Sequence, residues 1–219
     1  MRFSVSIMAH PDRAANVDAL RAVMGEDVPV SWDLEGPPVR DHERVWRVAR
    51  TAWTLHDPAA DWHLLLQDDA ILSPGLPEVL PELLGRLAGG RRLLSLYLGR
   101  TRPIPGVWHT LAERADREHA TWIVGPMIMW GVGIAIPVPL ISDMLGHADT
   151  QRGIPDDMRV GRWGKSRKLE AWHPWPSLVD HPDDGSLTGH GRGRTARRFA
   201  ADGGAGIDWS GGPVVRYGG

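Results

Sequence analysis

The chain has 219 residues and a formal net charge of −2, enough for one domain with a substantial core. It contains no cysteine, which excludes disulfides and thiolate metal sites. No apolar run approaches the ~18 residues of a membrane-spanning helix, and the opening MRFSVSIMAH enters a strand-like pattern without the layout of a signal peptide, so a cytoplasmic protein is expected.

The elements follow in chain order. Phe3–Ala9 reads as a first strand. Val17, Leu20, Val23 and Met24 recur at helical spacing within Asp12–Met24, and Gly25 is a plausible stop. Val28–Trp32 reads as a second strand, ending at Asp33, and Pro37-Pro38 marks a loop. Arg40–His56 carries Val45, Val48, Ala49, Ala52 and Trp53 on one helical face. Trp62–Gln67 is a third strand, Leu76–Leu87 a helix with a ragged proline-bearing start, and Leu93–Leu98 a fourth strand. This alternation predicts an α/β three-layer sandwich with a mostly parallel central sheet. Beyond Arg100 the periodicity weakens. Met127–Ile136 is apolar but interrupted by Gly131 and Gly133, and Pro137–Leu145 reads as a short proline-started helix. Residues 1–199 are expected to form the domain. Residues 200–219 are rich in glycine and are expected to form a flexible tail.

Charge is uneven along the chain. Residues 1–150 carry 14 Lys+Arg against 19 Asp+Glu, whereas residues 151–219 carry 11 against 8. The last third is therefore the place to seek a polyanionic partner.

Four short motifs carry candidate chemistry. The apolar run Leu64-Leu65-Leu66 ends in Gln67-Asp68-Asp69. Two adjacent acids at the end of a buried strand are costly without a positive partner. A divalent cation held by oxygen ligands is the usual one, and ligands of open α/β sheets bind at the carboxyl ends of strands. A solvated acidic turn explains the pair about equally well. Within Pro126–Pro137, Gly131 and Gly133 mark either a close backbone approach to a ligand or a bulge. Asp156-Asp157 follows Pro155; one acid suits a helix cap and the other a general base. His181 follows the strand-like PSLVD, and a neutral imidazole is a good partner to carboxylate at a transition-metal site.

In this order the four motifs resemble those of glycosyltransferases of the GT-A fold, and among them the family 25 (lipooligosaccharide-type) enzymes and related small transferases of phages and actinobacteria. Gln67-Asp68-Asp69 stands at that fold's DxD motif, Gly131 and Gly133 at its glycine loop, Asp156-Asp157 at its xED pair, and His181 at its C-terminal histidine. The resemblance implies a GT-A fold and transfer of a sugar from a nucleotide sugar, most simply a UDP-sugar, to an acceptor hydroxyl. It implies that Asp69 and His181 hold Mn²⁺ or Mg²⁺ and that Asp68 contacts the donor. It makes Asp157 the base, with Asp156 the next candidate. His10, Pro11, Arg13 and Asp33 would hold the nucleotide. Gln67 departs from the pattern, since a neutral amide can hydrogen-bond the nucleotide but adds no charge at the metal. A cation of this kind stabilises a diphosphate leaving group as a Lewis acid, and Arg192, Arg194, Arg197 and Arg198 supply phosphate donors. A single carboxylate base suits an inverting displacement.

Residues 159–168 hold Arg159, Arg162, Lys165, Arg167 and Lys168 with Trp163 and no acid. The run follows Asp157 and is expected to bind a polyanionic acceptor, with Trp163 or Trp172 stacking on a flipped base. Hydroxymethylated phage DNA ranks first and a phosphorylated glycan second. Two other readings compete. Ala9-His10-Pro11-Asp12 is similar to the AHPDD motif of zinc-dependent N-acetylglucosaminyl deacetylases, but Arg13 replaces the second acid and no HxxH pair follows. The basic run alone would also suit a non-catalytic nucleic-acid-binding module.

Overall fold

The computed structural model describes residues 1–38, 41–100, 105–182 and 194–218. In chain order the elements are β1 (Phe3–Ala9), α1 (Ala14–Met24), β2 (Val30–Trp32), α2 (His42–Thr54), β3 (Trp62–Gln67), β4 (Ile71–Leu72), α3 (Leu76–Leu87), β5 (Arg92–Ser95), α4 (Pro105–Arg117), β6 (Trp122–Gly125), β7 (Gly133–Pro137), α5 (Ile141–Asp149), α6 (Asp156–Ser166), β8 (Glu170–Pro174), β9 (Val179–Asp180) and β10 (Val214–Arg216).

One eight-stranded sheet runs in the order β10-β6-β8-β5-β7-β3-β1-β2. The pairs β1–β2, β1–β3, β5–β8 and β6–β10 are parallel, and β3–β7, β5–β7 and β6–β8 are antiparallel. Side-chain alternation along the strands separates two cores. Leu64 and Leu66 join Val5 and Ile7 against the apolar faces of α1, α3 and α4. Leu65 joins Ile134 and Ile136 against α2, α5 and α6. The result is a three-layer α/β sandwich with a mostly parallel central sheet, as the chain-order pattern predicts. Among the described residues no helix is long and apolar enough to cross a membrane.

Local chemistry sets the helix starts that matter for the site. His10 closes the turn before α1, its Nδ1 accepting the Asp12 N–H at 3.2 Å. Asp41 caps α2 by accepting from the Glu43 and Arg44 amides at 2.9 and 3.2 Å. Pro155 precedes α6, whose first turn carries Asp156 and Asp157, where the helix dipole favours negative charge.

Several expectations give way. Residues 200–218 are not a loose tail: Trp209 and Val215 are buried, β10 pairs with β6, and the Trp122 Nε1–H donates to the Trp209 carbonyl at 3.0 Å. Two large apolar side chains among many glycines suffice to dock the segment. The basic run is mostly helical, because Val160 and Trp163 place an apolar stripe on the second core. The helix read over Arg40–His56 starts at His42; Arg40 lies outside the described residues.

The packing of α6 fixes the orientation of its acids. A Cβ on Gly161 would lie 2.1 Å from the Ile128 carbonyl oxygen, so only glycine lets the helix approach the 126–132 segment this closely. Gly161→Ala is expected to cost about 3 kcal/mol through overpacking, roughly 6–12 °C in Tm. Gly146→Ala in α5, where the added Cβ meets open space, is expected to be neutral or stabilising by up to ~1 kcal/mol. Paired thermal melts check both.

Candidate active site

Asp68 and Asp69 follow β3 at the carboxyl end of the parallel β1–β3 pair. The Asp68 amide continues the ladder to the Met8 carbonyl, which keeps the acids at the sheet edge. Three groups surround them. The His10 backbone N–H donates to Asp68 Oδ2 at 2.8 Å. Arg13 Nη1 bridges the pair, 2.9 Å from Asp68 Oδ1 and 2.6 Å from Asp69 Oδ2. His181 Nε2 lies 3.0 Å from the same Asp69 oxygen. The two-stranded β4–β9 ribbon explains that last contact. Ile71 pairs with Asp180, so the register carried one step outward sets His181 opposite Ala70, the neighbour of Asp69.

The electrostatics of the two acids diverge. For Asp69, burial pushes the carboxyl up, but the His181 hydrogen bond and charge together with Arg13 outweigh it and hold the group at about 2. Asp68 is raised, burial being the main cause. His181 is raised although burial opposes its charge, because Asp69 accepts from it and attracts it. The tautomer matters here. His181 Nδ1 faces the Pro182 carbonyl at 2.6 Å, and a carbonyl only accepts, so Nδ1 carries a hydrogen. In a neutral ring Nε2 then turns a lone pair toward the carboxylate. Two acceptors at this distance need a proton or a cation between them.

The second acid pair lies across the site. Gln67 Nε2 donates to Asp156 Oδ2 at a long 3.5 Å. Gly131 sits between the motifs: a Cβ there would be 2.8 Å from Gln67 Nε2 and 3.3 Å from the Asp157 Cβ. Gly131 is therefore a close approach rather than a simple bulge. Gly133 begins β7, where an added Cβ would lie 3.4 Å from both Leu66 and Val179. Burial, and then the adjacent Asp156 charge, push Asp157 well above the ordinary carboxylate range; burial raises Asp156 as well. The two carboxyls titrate as a pair.

Around this centre the structure sorts the other predicted residues. His10 uses both ring nitrogens in the loop, Nδ1 accepting from Asp12 and Nε2 donating to the Gly36 carbonyl at 3.0 Å. It is thus engaged away from zinc ligation, and Pro11 starts the following turn. Arg13, expected on the nucleotide, spans the acid pair in this structure. Asp33 pairs with the buried Arg44 at 2.8 Å, and Arg44 also holds the Gly36 and Pro37 carbonyls. Residues 194–200 run beside the end of β5. Tyr97 donates its hydroxyl to the Arg194 carbonyl, and Arg197 Nε donates to the Gly99 carbonyl at 3.1 Å. Arg194 acts electrostatically on both Asp157 and His181. Arg198 pairs with Asp116 on the surface. Arg192 lies outside the described residues.

The predicted acceptor run does not stay at this edge. Trp163 is fully buried and donates Nε1–H to Asp143 Oδ2 at 2.8 Å, which leaves no ring face for stacking. Arg167 pairs with Asp143 and the buried Arg159 with Glu43, so acids from α5 and α2 supply the compensation absent from the run itself. Arg162 is exposed partway along α6, and Lys165 lies ~13 Å along the helix axis from Asp156. Arg44 and Tyr97 carry no motif in the sequence, and Arg159 reads there only as part of the basic run. An arginine at helical spacing within an apolar face, as Arg44 is between Asp41 and Val48, was the available signal.

Among the described residues no group of three or more His, Asp and Glu side chains is arranged to hold a metal ion alone. The donor set nevertheless fits a divalent cation shared with a ligand. Asp69 Oδ1 is buried without a hydrogen-bond partner, and the His181 lone pair converges on the same carboxylate. One carboxylate oxygen and one imidazole nitrogen suit a transition cation such as Mn²⁺ better than the harder Mg²⁺, with phosphate oxygens and water to complete the shell.

No protein-family profile matches the chain, and no curated protein matches it. Among solved structures, the crystal structure of a glycosyltransferase involved in the glycosylation of the major capsid of PBCV-1 is similar over 68% of this chain and 67% of that one, with 10% identity and a TM-score of 0.34. A likeness at that level carries no argument.

The raised Asp157 carboxyl makes a stability prediction. A folded-state pKa above the unfolded value of ~3.9 means the folded chain retains a proton that the unfolded chain releases. Stability therefore falls as pH rises from that value through the raised pKa. Asp157→Asn is expected to increase Tm at pH 8, by ~2–4 °C for each kcal/mol relieved, and to leave it unchanged near pH 4. Thermal melts across that range test this; a lower Tm for the variant at pH 8 would contradict it.

Proposed function

We propose that the chain is a nucleotide-sugar-dependent glycosyltransferase. The observation that carries this reading is the convergence, at one sheet edge, of the four motifs: Gln67 with Asp156, Gly131 against both Gln67 and Asp157, and Asp69 with His181. A solvated acidic turn would not bury these groups or bring a distant histidine to them.

Each side chain then has a task. Asp157, raised by burial and by Asp156, is a base of useful strength near neutral pH and would take the proton of the acceptor hydroxyl. Asp68 holds the His10 amide and so ties the turn at the end of β1 to the donor side. Arg13, Arg194 and Arg197 would supply positive charge to a diphosphate, whose own charge grows as the sugar leaves. Asp69 and His181 would hold Mn²⁺ or Mg²⁺, which supplies Lewis-acid stabilisation of that leaving group when bound. One carboxylate base facing the donor suits inversion at the anomeric carbon. A UDP-sugar is the first donor to test. DNA bearing a hydroxymethylated base and a phosphorylated glycan are the acceptors to assay, although the course of α6 gives Lys165 and Lys168 no part in holding them at this edge.

Two measurements test the reading. UDP with Mn²⁺ is expected to raise Tm through linkage, by ~2.7 kcal/mol of stabilisation at a hundred times Kd, and Asp69→Ala is expected to abolish the shift. An undiminished shift in EDTA would remove the metal from the account. Separately, Asp157→Asn is expected to lower kcat for transfer by ~10²–10⁴-fold while UDP affinity, measured by calorimetry, changes little. Transfer at the wild-type rate would move the base to Asp156.

A further inference from the structure

The edge of the sheet opposite the candidate active site carries a second, differently built pocket. There β6 ends as β8 begins, Gly125 pairing with Ala171, and Arg216 of β10 lies beside Val124. A pocket of about 470 Å³ opens here between the 124–126 segment, the C-terminal end of α6 and β10, and Lys165, Lys168, Glu170, Arg216 and Tyr217 line it.

Its charges are unbalanced. Glu170 is shared by Arg216 and Arg92, and both guanidiniums lie over the Trp172 ring, 5.1 and 4.9 Å from its centre. That fixes Arg216 in place and saturates the one acid of the pocket. Lys165 and Lys168 have no ion pair or side-chain hydrogen bond among the described residues. Two unpaired ammonium groups and a braced arginine thus face one cavity, with the Tyr217 ring 56% exposed at its side.

Lys168 is also in an unfavourable backbone conformation. Its φ is +55°, in the left-handed region that glycine tolerates and lysine seldom enters. The Leu169 N–H reaches the Gly164 carbonyl at 2.9 Å, so Lys168 occupies the helix-terminating position at which glycine is the usual residue. A cation near a helix C-terminus is favoured by the dipole, but Lys165 already supplies one in the last turn. The side chain of Lys168 is thus kept at a backbone position that does not favour it.

We infer that this pocket binds a nucleoside monophosphate unit, the phosphate on Lys165, Lys168 and Arg216 and the base against Tyr217. The volume suits a phosphorylated ring better than a bare anion, and basic side chains beside an exposed aromatic ring are the groups that hold nucleotides without reading their sequence. The unit is either a free nucleotide or a residue of a single strand. The inference does not rest on the proposed transfer reaction, because the pocket and the acid pairs lie at opposite edges of the sheet.

Amide chemical-shift mapping with AMP and with (dT)8 tests it. Both probes are expected to shift amides at 124–125, 168 and 216–217. Tighter binding of (dT)8 assigns the strand as the source, and equal or weaker binding assigns the free nucleotide. Lys168→Gly and Lys165→Gln are each expected to weaken binding at these amides by ~10-fold, and Lys168→Gly is expected to melt no lower than wild type. The inference is overturned if neither probe shifts the pocket amides, or if both variants bind as wild type does. A lower Tm for Lys168→Gly with unchanged binding by Lys165→Gln would assign the lysines a purely structural role and also overturn it.

Discussion

Asp68 and Asp69 are two adjacent carboxylates covered by protein at the end of a buried strand, and the need to neutralise them organises this edge of the molecule. Their positive partners come from distant parts of the chain: Arg13 from the turn before α1 and His181 from the end of β9. Neither partner is near the acids in sequence. The β4–β9 ribbon and the β1–β3 pairing bring them in. Charge compensation thus ties the first turn of the fold to its C-terminal third. Arg13 occupies Asp69 Oδ2, beside the unpartnered Oδ1 of the same carboxylate, so on the proposed reading a bound metal and diphosphate would draw the guanidinium toward phosphate.

The opposing acid pair is positioned by close backbone contact rather than by charge. Gly161 sets α6 against the Ile128 carbonyl, and Gly131 passes between Gln67 and Asp157. Arg159, buried against Trp46 and paired with Glu43, anchors the start of the helix to α2. These contacts hold Asp157 where burial and Asp156 raise its proton affinity. The burial that raises its proton affinity destabilises its ionised form, and on the proposed reading this exchanges stability for function.

Much of the fold was legible because periodicity is strong in its first half. The strands ending at Ala9, Trp32 and Gln67, and the helices between them, follow from alternation and 3.6-residue spacing. The β4–β9 ribbon was not legible, since two-residue strands carry no period. Residues 200–219 were misread because composition averages away Trp209 and Val215, the two side chains that dock them. Of the site, the four motifs were visible as residues, and the structure brings them to one edge. Their partners were less visible. The contact of Arg13 with the acids carries no sequence signal, since a salt bridge across 55 residues leaves no local pattern. The basic run 159–168 looked uncompensated because its acids, Glu43 and Asp143, lie on other helices.

The central claim is that the Asp69–His181 pair, with Arg13, forms the diphosphate end of a donor site. The most direct measurement is a crystal structure of the protein soaked with Mn²⁺ and UDP, with the metal located by its anomalous scattering. The account predicts a manganese peak within bonding distance of Asp69 and His181, the diphosphate on that metal, and the Arg13 guanidinium shifted from Asp69 toward phosphate. A nucleotide bound elsewhere, or bound here with the Arg13–Asp69 pair intact and no metal peak, would contradict it.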